Sequence, residues 1–138
     1  MKIKEPKYKY SNVLLIDDSE LDNFISEKIL QANYFSKKVF INTSAKSAIE
    51  FLNNLIKLKK KSNEDFPEVI FIDINMPLMD GFQFIEHFKN SLERHIPRPK
   101  LVILTSSVYD EDRQKSTAIS PDIIFLNKPL VSEMLADI

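Results

Sequence analysis

The clearest signal of the fold is the segment Val69-Ile70-Phe71-Ile72-Asp73, in which an unbroken apolar run ends in a carboxylate. A continuous run of Val, Ile and Phe is typical of a strand covered on both faces, as in the parallel sheets of α/β proteins. Ligands of such sheets bind beyond the carboxyl ends of the strands. The segment therefore predicts a buried parallel strand that delivers Asp73 to a functional crevice.

Strand-like and helix-like segments alternate along the rest of the chain. We predict strands over residues 12–17, 38–42, 68–73, 100–105 and 122–126, and helices over 19–32, 44–59, 82–93, 110–118 and 131–138. Ser19 is the expected N-cap of the first helix, with Asp22 as its reciprocal capping partner. The alternation predicts right-handed βαβ units and a parallel five-stranded sheet in an α/β fold of three layers.

Length and composition exclude several classes of function. The 138 residues suit one domain, with residues 1–11 as an N-terminal extension, and the net charge of -1 provides no field that attracts nucleic acid or a membrane. The absence of cysteine excludes thiolate chemistry, and the single glycine, Gly81, excludes glycine-rich phosphate loops. No segment is long and apolar enough for a membrane span or a signal peptide, so we expect a cytoplasmic protein.

A second apolar run, residues 13–16, leads into Asp17 and Asp18, so two strands deliver three carboxylates to one edge of the sheet. Carboxylates that crowd together repel, and a hard divalent cation relieves that repulsion directly. Mg2+ is the natural candidate. The two histidines, His87 and His95, are expected to be exposed, so a histidine-ligated metal is not predicted.

Thr105 and Lys128 follow two later apolar strands and complete a candidate phosphoryl site. A cation and an ammonium neutralise charge on phosphoryl oxygens while a hydroxyl donates a hydrogen bond, which is most of what phosphoryl transfer requires of a protein. Asp73 is then the predicted nucleophile and phosphoacceptor.

These pieces, taken in order, resemble the receiver domain of two-component response regulators, of the single-domain chemotaxis-regulator kind. The resemblance rests on Asp17-Asp18, Asp73-x-Asn75-Met76-Pro77-x-x-Asp80-Gly81, Thr105-Ser106 and Lys128-Pro129, and it spans residues 12 to about 135. It implies a doubly wound, flavodoxin-like sheet of order 2-1-3-4-5. It also implies a cis bond between Lys128 and Pro129.

The resemblance assigns roles to individual residues. Asp18 is expected to contact Mg2+ directly, Asp17 mainly through coordinated water, and Asn75 through its backbone carbonyl, beside the Asp73 carboxylate. Thr105 and Phe125 are expected to form a switch that reports phosphorylation to the surface of the fourth helix, fifth strand and fifth helix. Asn75, Ser106 and Ser107 flank the acceptor and switch positions and are expected to influence hydrolysis by steering water.

The resemblance further implies a phosphohistidine donor on a sensor histidine kinase or phosphotransfer protein. The leading hypothesis is a stand-alone switch that turns over no metabolite and changes its affinity for an unidentified protein target. Formation of a homodimer on activation is left open. One alternative is a phosphorylation-independent pseudo-receiver scaffold, and another is a Mg2+-dependent aspartyl phosphatase, which normally has an acid at the position of Asn75.

Two features depart from the family pattern. A cluster of lysines at Lys57, Lys59, Lys60 and Lys61 extends the second helix into a long polar connection, either as a solvated helix end or as a docking patch. Only residues 129–138 follow Lys128, which predicts a short final helix over 131–138. That ending fits either a shortened chain or a protein that signals through other surfaces.

Overall fold

The computed structural model describes residues 6–58 and 65–138, and within them strands and helices alternate. The elements are β1 Tyr10–Ile16, α1 Glu20–Ala32, β2 Ser36–Asn42, α2 Ala45–Lys57, β3 Val69–Ile72, α3 Gly81–His87, β4 Lys100–Thr105, α4 Asp110–Ile119, β5 Ile124–Asn127 and α5 Ser132–Leu135. A π-helical turn, Phe88–Leu92, and a 3-10 turn, Glu93–His95, extend α3.

All strand pairs of the sheet are parallel, and the strand order is β2-β1-β3-β4-β5. This order confirms the predicted doubly wound α/β fold. Ile16 lies in register with Ile72, and Ile72 with Ile103. Because the three central strands are in register, their carboxyl ends lie at one edge of the sheet.

Alternate residues of the central strands supply two apolar cores. Leu14, Ile16, Ile70 and Ile72 pack with α2 and α3 on one face, while Val13, Leu15, Val69 and Phe71 pack with α1 and α5 on the other. Each fully buried aliphatic side chain of this kind contributes about 1.5–3 kcal/mol. All four residues of β3 are buried, as the continuous apolar run predicts.

Helix α4 is attached differently from the other long helices. Ser116 is its buried residue, and Ile119 is partly buried against the core. The Arg113 guanidinium lies 4.6 Å from the ring centroid of Phe125, and the Lys115 ammonium 4.6 Å from that of Phe82. Cation–π contacts and a buried serine thus contribute to its packing beside the apolar contact of Ile119.

Several boundaries differ from the predictions. β1 begins at Tyr10, inside the segment predicted as an extension, because Tyr10 pairs with Ser36 of β2. The regular part of α3 ends at His87, and α5 has four residues rather than the predicted eight. Of the proposed docking patch, Lys57 ends α2 and is exposed, whereas residues 59–61 lie outside the described residues. In the part of the chain that the structure describes, no helix has the length and apolar character needed to cross a membrane.

Candidate functional site

Three predicted carboxylates meet at the carboxyl edge of the sheet. Asp17 and Asp18 follow β1 and Asp73 follows β3, and one carboxylate oxygen from each lies within 4.8 Å of the other two. Asp17 and Asp73 are buried, whereas Asp18 is exposed. The Asp73 amide donates to the Ile16 carbonyl at 3.0 Å, which ties the ends of β1 and β3 together.

Lys128 projects into this cluster from the end of β5, and the peptide bond that follows it is cis. Its ammonium lies 2.6 Å from Asp17 Oδ2, 2.8 Å from Asp22 Oδ2 and 3.5 Å from Asp73 Oδ2. Burial by itself lowers the pKa of Lys128, but the hydrogen bonds to Asp17 and Asp22 and the charge of Asp73 outweigh it and raise the pKa above its ordinary value. The ammonium therefore stays charged.

The Asp73 carboxylate is only partly satisfied. Its Oδ1 atom is buried and has no hydrogen-bond partner among the described residues. Burial raises the pKa of Asp73 above its ordinary value and the Asp17 charge adds to this, while Lys128 and the Thr105 hydroxyl oppose it. A buried, unpartnered carboxylate oxygen beside two further carboxylates fits the all-oxygen donor set that a hard divalent cation requires.

Thr105 ends β4 and is fully buried at the same edge of the sheet. Its Oγ1 accepts a hydrogen bond from the Ser107 amide at 3.1 Å, and its carbonyl accepts from the Lys128 amide at 2.8 Å. Asn127 Nδ2 donates to the Ser107 carbonyl at 2.6 Å, and the Ser107 hydroxyl donates to Asp112. The β4–α4 loop is thus bonded both to β5 and to the first turn of α4.

The loop that follows Asp73 is fixed by the start of α3. The Gly81 amide donates to the Ile74 carbonyl at 2.9 Å. Asp80 caps α3 in a capping box with Gln83, at 2.8 and 2.9 Å. Asn75, two residues past Asp73, has an exposed side chain in this loop.

Phe125 lies in β5, in register with Ile103 of β4, and is half-buried. One side of its ring is covered by Arg113 of α4. The structure therefore places Phe125 between the sheet and α4, and its role as a switch stays a prediction.

Two residues of the site were missed by the sequence reasoning. Asp22 was expected to complete a capping box, and its amide does donate to Ser19 Oγ at 3.2 Å. The Ser19 amide, however, donates to Asp17 Oδ1 at 2.9 Å, so the Asp22 carboxylate is free to bind Lys128. Asp22 lies in the first turn of α1, five residues after Asp17, and this position beside the acidic strand end was the available signal. Asn127, which precedes Lys128, offered no comparable signal.

A doubly wound sheet of this strand order, with acids, a hydroxyl and a lysine gathered beyond its strand ends, is the architecture of a receiver module in phosphorylation signalling. Residues 13–138 match the family model of the response regulator receiver domain. The chain belongs to this family of two-component systems, whose members bind Mg2+ at an acidic pocket.

Relatives of known identity agree with this assignment. A two-component response regulator from Cytophaga hutchinsonii is 30% identical, has a TM-score of 0.81 and matches 92% of each chain. Hybrid signal transduction histidine kinase L of Dictyostelium discoideum is 27% identical over 92% of this chain, and response regulator Rcp1 of Synechocystis is 25% identical over 72% of it. The chain matches 7% of the length of that kinase and 65% of that regulator.

Proposed function

We propose that this protein acts as a receiver that accepts a phosphoryl group on Asp73 and thereby changes its affinity for a partner protein. The observation that carries the proposal is the buried, unpartnered Oδ1 atom of Asp73. It lies in a carboxylate whose other oxygen is 3.5 Å from the Lys128 ammonium. A nucleophilic oxygen and a fixed positive charge are therefore held side by side.

The transfer forms a bond between the Asp73 oxygen and phosphorus while the phosphorus–nitrogen bond of a phosphohistidine breaks. The electron pair leaves with the imidazole of the donor, a sensor histidine kinase or a phosphotransfer protein. Lys128 neutralises charge on the phosphoryl oxygens, and the Thr105 hydroxyl is available to donate to one of them. The product is an aspartyl phosphate.

The carboxylates of Asp17, Asp18 and Asp73, with the backbone carbonyl of Asn75, would hold Mg2+. The bound ion supplies positive charge that offsets repulsion between the incoming phosphoryl group and the three acids. Asp18 is the exposed member of the acidic cluster, which favours it as the direct ligand. Asp17 already bonds Lys128 and Ser19 and suits a contact through water.

Thr105 and Phe125 are the proposed switch. The phosphoryl group brings about two negative charges and strong acceptor oxygens to the end of β4, so it attracts the Thr105 hydroxyl, which now accepts from Ser107. Movement of the β4–α4 loop then frees space for the Phe125 ring and alters the surface at α4. The downstream target binds at this surface, and any homodimer forms through it.

Receiver domains of this kind are generally not metabolic enzymes. We expect only phosphorylation from a donor and autodephosphorylation, in which Ser106, Ser107 and Asn75 influence the attacking water. A cytoplasmic location follows from the proposed donor, because histidine kinases draw their phosphoryl group from ATP.

The decisive experiment is intact-mass analysis after incubation with acetyl phosphate and Mg2+. We expect a single phosphoryl adduct on the wild type and on Asp122→Asn, an exposed acid paired with Arg98 away from the site. We expect none on Asp73→Asn or in the presence of a chelator. A folded wild type that takes up no adduct would support the scaffold, and continuous release of phosphate from simple esters would support the phosphatase.

A further inference from the structure

Lys128 is shared unevenly among three carboxylates. Its contacts with Asp17 and Asp22, at 2.6 and 2.8 Å, are as short as charge-assisted hydrogen bonds, whereas Asp73 lies at 3.5 Å. An ammonium has three N–H donors and no acceptor. Two of the three are committed to Asp17 and Asp22, which leaves Asp73 with the longest of the three contacts.

We propose that Asp22 is a positioning residue that holds the Lys128 ammonium back from Asp73 until a phosphoryl group arrives. The inference rests on the proposed phosphorylation of Asp73. If Lys128 formed a full ion pair with the bare carboxylate, it would withdraw charge from the attacking group. Held at its present distance, it instead meets the oxygens of the phosphoryl group, which extend beyond the carboxylate.

Asp22 is suited to this role because neither the helix nor the acidic cluster uses its carboxylate. The Ser19 amide, its usual target in a capping box, is bonded to Asp17. Asp22 is also absent from the group of acids that lie close enough to share a cation, which consists of Asp17, Asp18 and Asp73. When those three share a cation, the Asp22 carboxylate still bonds Lys128.

The ordinary alternative is a solvent-screened ion pair with no role in transfer. The Asp22 side chain is 38% exposed and the Lys128 side chain 14% exposed, and pairs with one exposed member often contribute less than about 1 kcal/mol to stability. Stability alone therefore cannot separate the two readings. They differ in whether the effect of Asp22 depends on Lys128 during phosphoryl transfer.

The transfer itself does not involve Asp22 covalently. With acetyl phosphate as donor, the Asp73 oxygen forms its bond to phosphorus, the bond from phosphorus to the acetyl oxygen breaks, and acetate leaves with the electron pair. No proton moves to or from Asp22. Its contribution is the location of the ammonium at the moment of attack.

The test compares initial rates of Asp73 phosphorylation by acetyl phosphate at saturating Mg2+. We expect Asp22→Ala to slow the reaction on the order of tenfold, because small misplacements of a reacting site have effects of this size or larger. Asp22→Asn keeps an acceptor oxygen and should lose about threefold or less. Glu20→Ala removes an exposed acid from the same helical turn and should leave the rate unchanged.

Two further measurements separate positioning from a structural role. In a Lys128→Met background, Asp22→Ala should no longer change the rate. In metal-free protein, the 13Cγ titration of Asp73 should shift further toward lower pH in Asp22→Ala than in Asp22→Asn. Both variants remove the charge of Asp22, but only the alanine releases the ammonium to move closer to Asp73.

An equal loss of rate with and without Lys128, or the same Asp73 titration in Asp22→Ala and Asp22→Asn, would overturn the proposal. The circular dichroism spectrum checks the fold of each variant, and Asp22→Asn serves if Asp22→Ala fails to fold. If the wild type accepts no phosphoryl group, the proposed function fails. The titration, which needs no phosphorylation, then still decides whether Asp22 positions Lys128.

Discussion

Gly81→Ala should destabilise the protein, although helix propensity predicts the opposite. Gly81 is the first residue of α3, and its φ is not positive, so its backbone conformation is open to alanine. Alanine is favoured over glycine inside helices by about 1 kcal/mol. A Cβ at this position, however, would lie 2.4 Å from the Asp73 carbonyl oxygen and 2.9 Å from Ile74 Cα.

The size of the effect follows from that contact. Real Cβ atoms essentially never approach closer than 3.0 Å, so the backbone must move by roughly 0.6 Å, and the opposing atoms belong to the main chain. Overpacking of this kind costs about 1–3 kcal/mol. The upper half of that range applies here because main-chain atoms cannot rotate away, which leaves a net loss of about 1–2 kcal/mol after the gain in propensity. With an unfolding entropy of about 2.1 cal/mol/K per residue, the melting temperature should fall by about 3–7 °C.

Urea unfolding of wild type and Gly81→Ala measures the loss directly. Glu86→Ala, at an exposed position on the same helix, is the matched control and should stay within about 0.5 kcal/mol of wild type. Because the displaced atoms belong to Asp73, the variant should also accept a phosphoryl group more slowly. A Gly81→Ala protein at least as stable as wild type, with an unchanged rate, would refute the steric argument.

Two further outcomes follow from the site. Asp73→Asn should raise the stability of the metal-free protein near neutral pH by about 1 kcal/mol, because it removes a buried charge whose Oδ1 atom has no hydrogen-bond partner. The pKa of Asp73 is higher in the folded state than its ordinary value of 3.8, so the folded state binds this proton more tightly than the unfolded state. The stability gained in Asp73→Asn should therefore shrink as pH falls through the raised pKa toward 3.8. Melting curves at several pH values measure this change. Asp80→Ala removes the capping bond to the Gln83 amide and should cost about 1 kcal/mol in urea unfolding, whereas no loss would mean that water replaces the cap.

The order of the elements and the meeting of the acids could be predicted because both depend on local patterns. Apolar runs predict strands, and parallel strands in register bring residues such as Asp17 and Asp73 to one edge whatever the helices do. The start of β1 was harder to predict from the sequence, because Tyr10 joins the strand only through its pairing with Ser36.

The contacts that could not be predicted from the sequence are those between residues far apart in the chain. Asp22 and Lys128 are separated by 106 positions, and a local capping rule accounted for Asp22 without its partner. In the sequence, Gly81 excludes glycine-rich phosphate loops and belongs to the motif that carries the family resemblance, but neither observation explains why glycine is needed there. Its steric reason, the closeness of the Asp73 backbone, depends on how the loop between β3 and α3 closes.

The attachment of α4 sets an energy scale for signalling. Cation–π contacts such as those of Arg113 and Lys115 contribute about 0.5–1 kcal/mol each at exposed sites. A newly introduced phosphoryl group can form one to three charge-assisted hydrogen bonds, each worth about 1.5–3 kcal/mol. The proposed phosphorylation of Asp73 would therefore supply a free energy comparable to that of the cation–π contacts of α4, whereas the two apolar cores that hold the sheet together contribute far more.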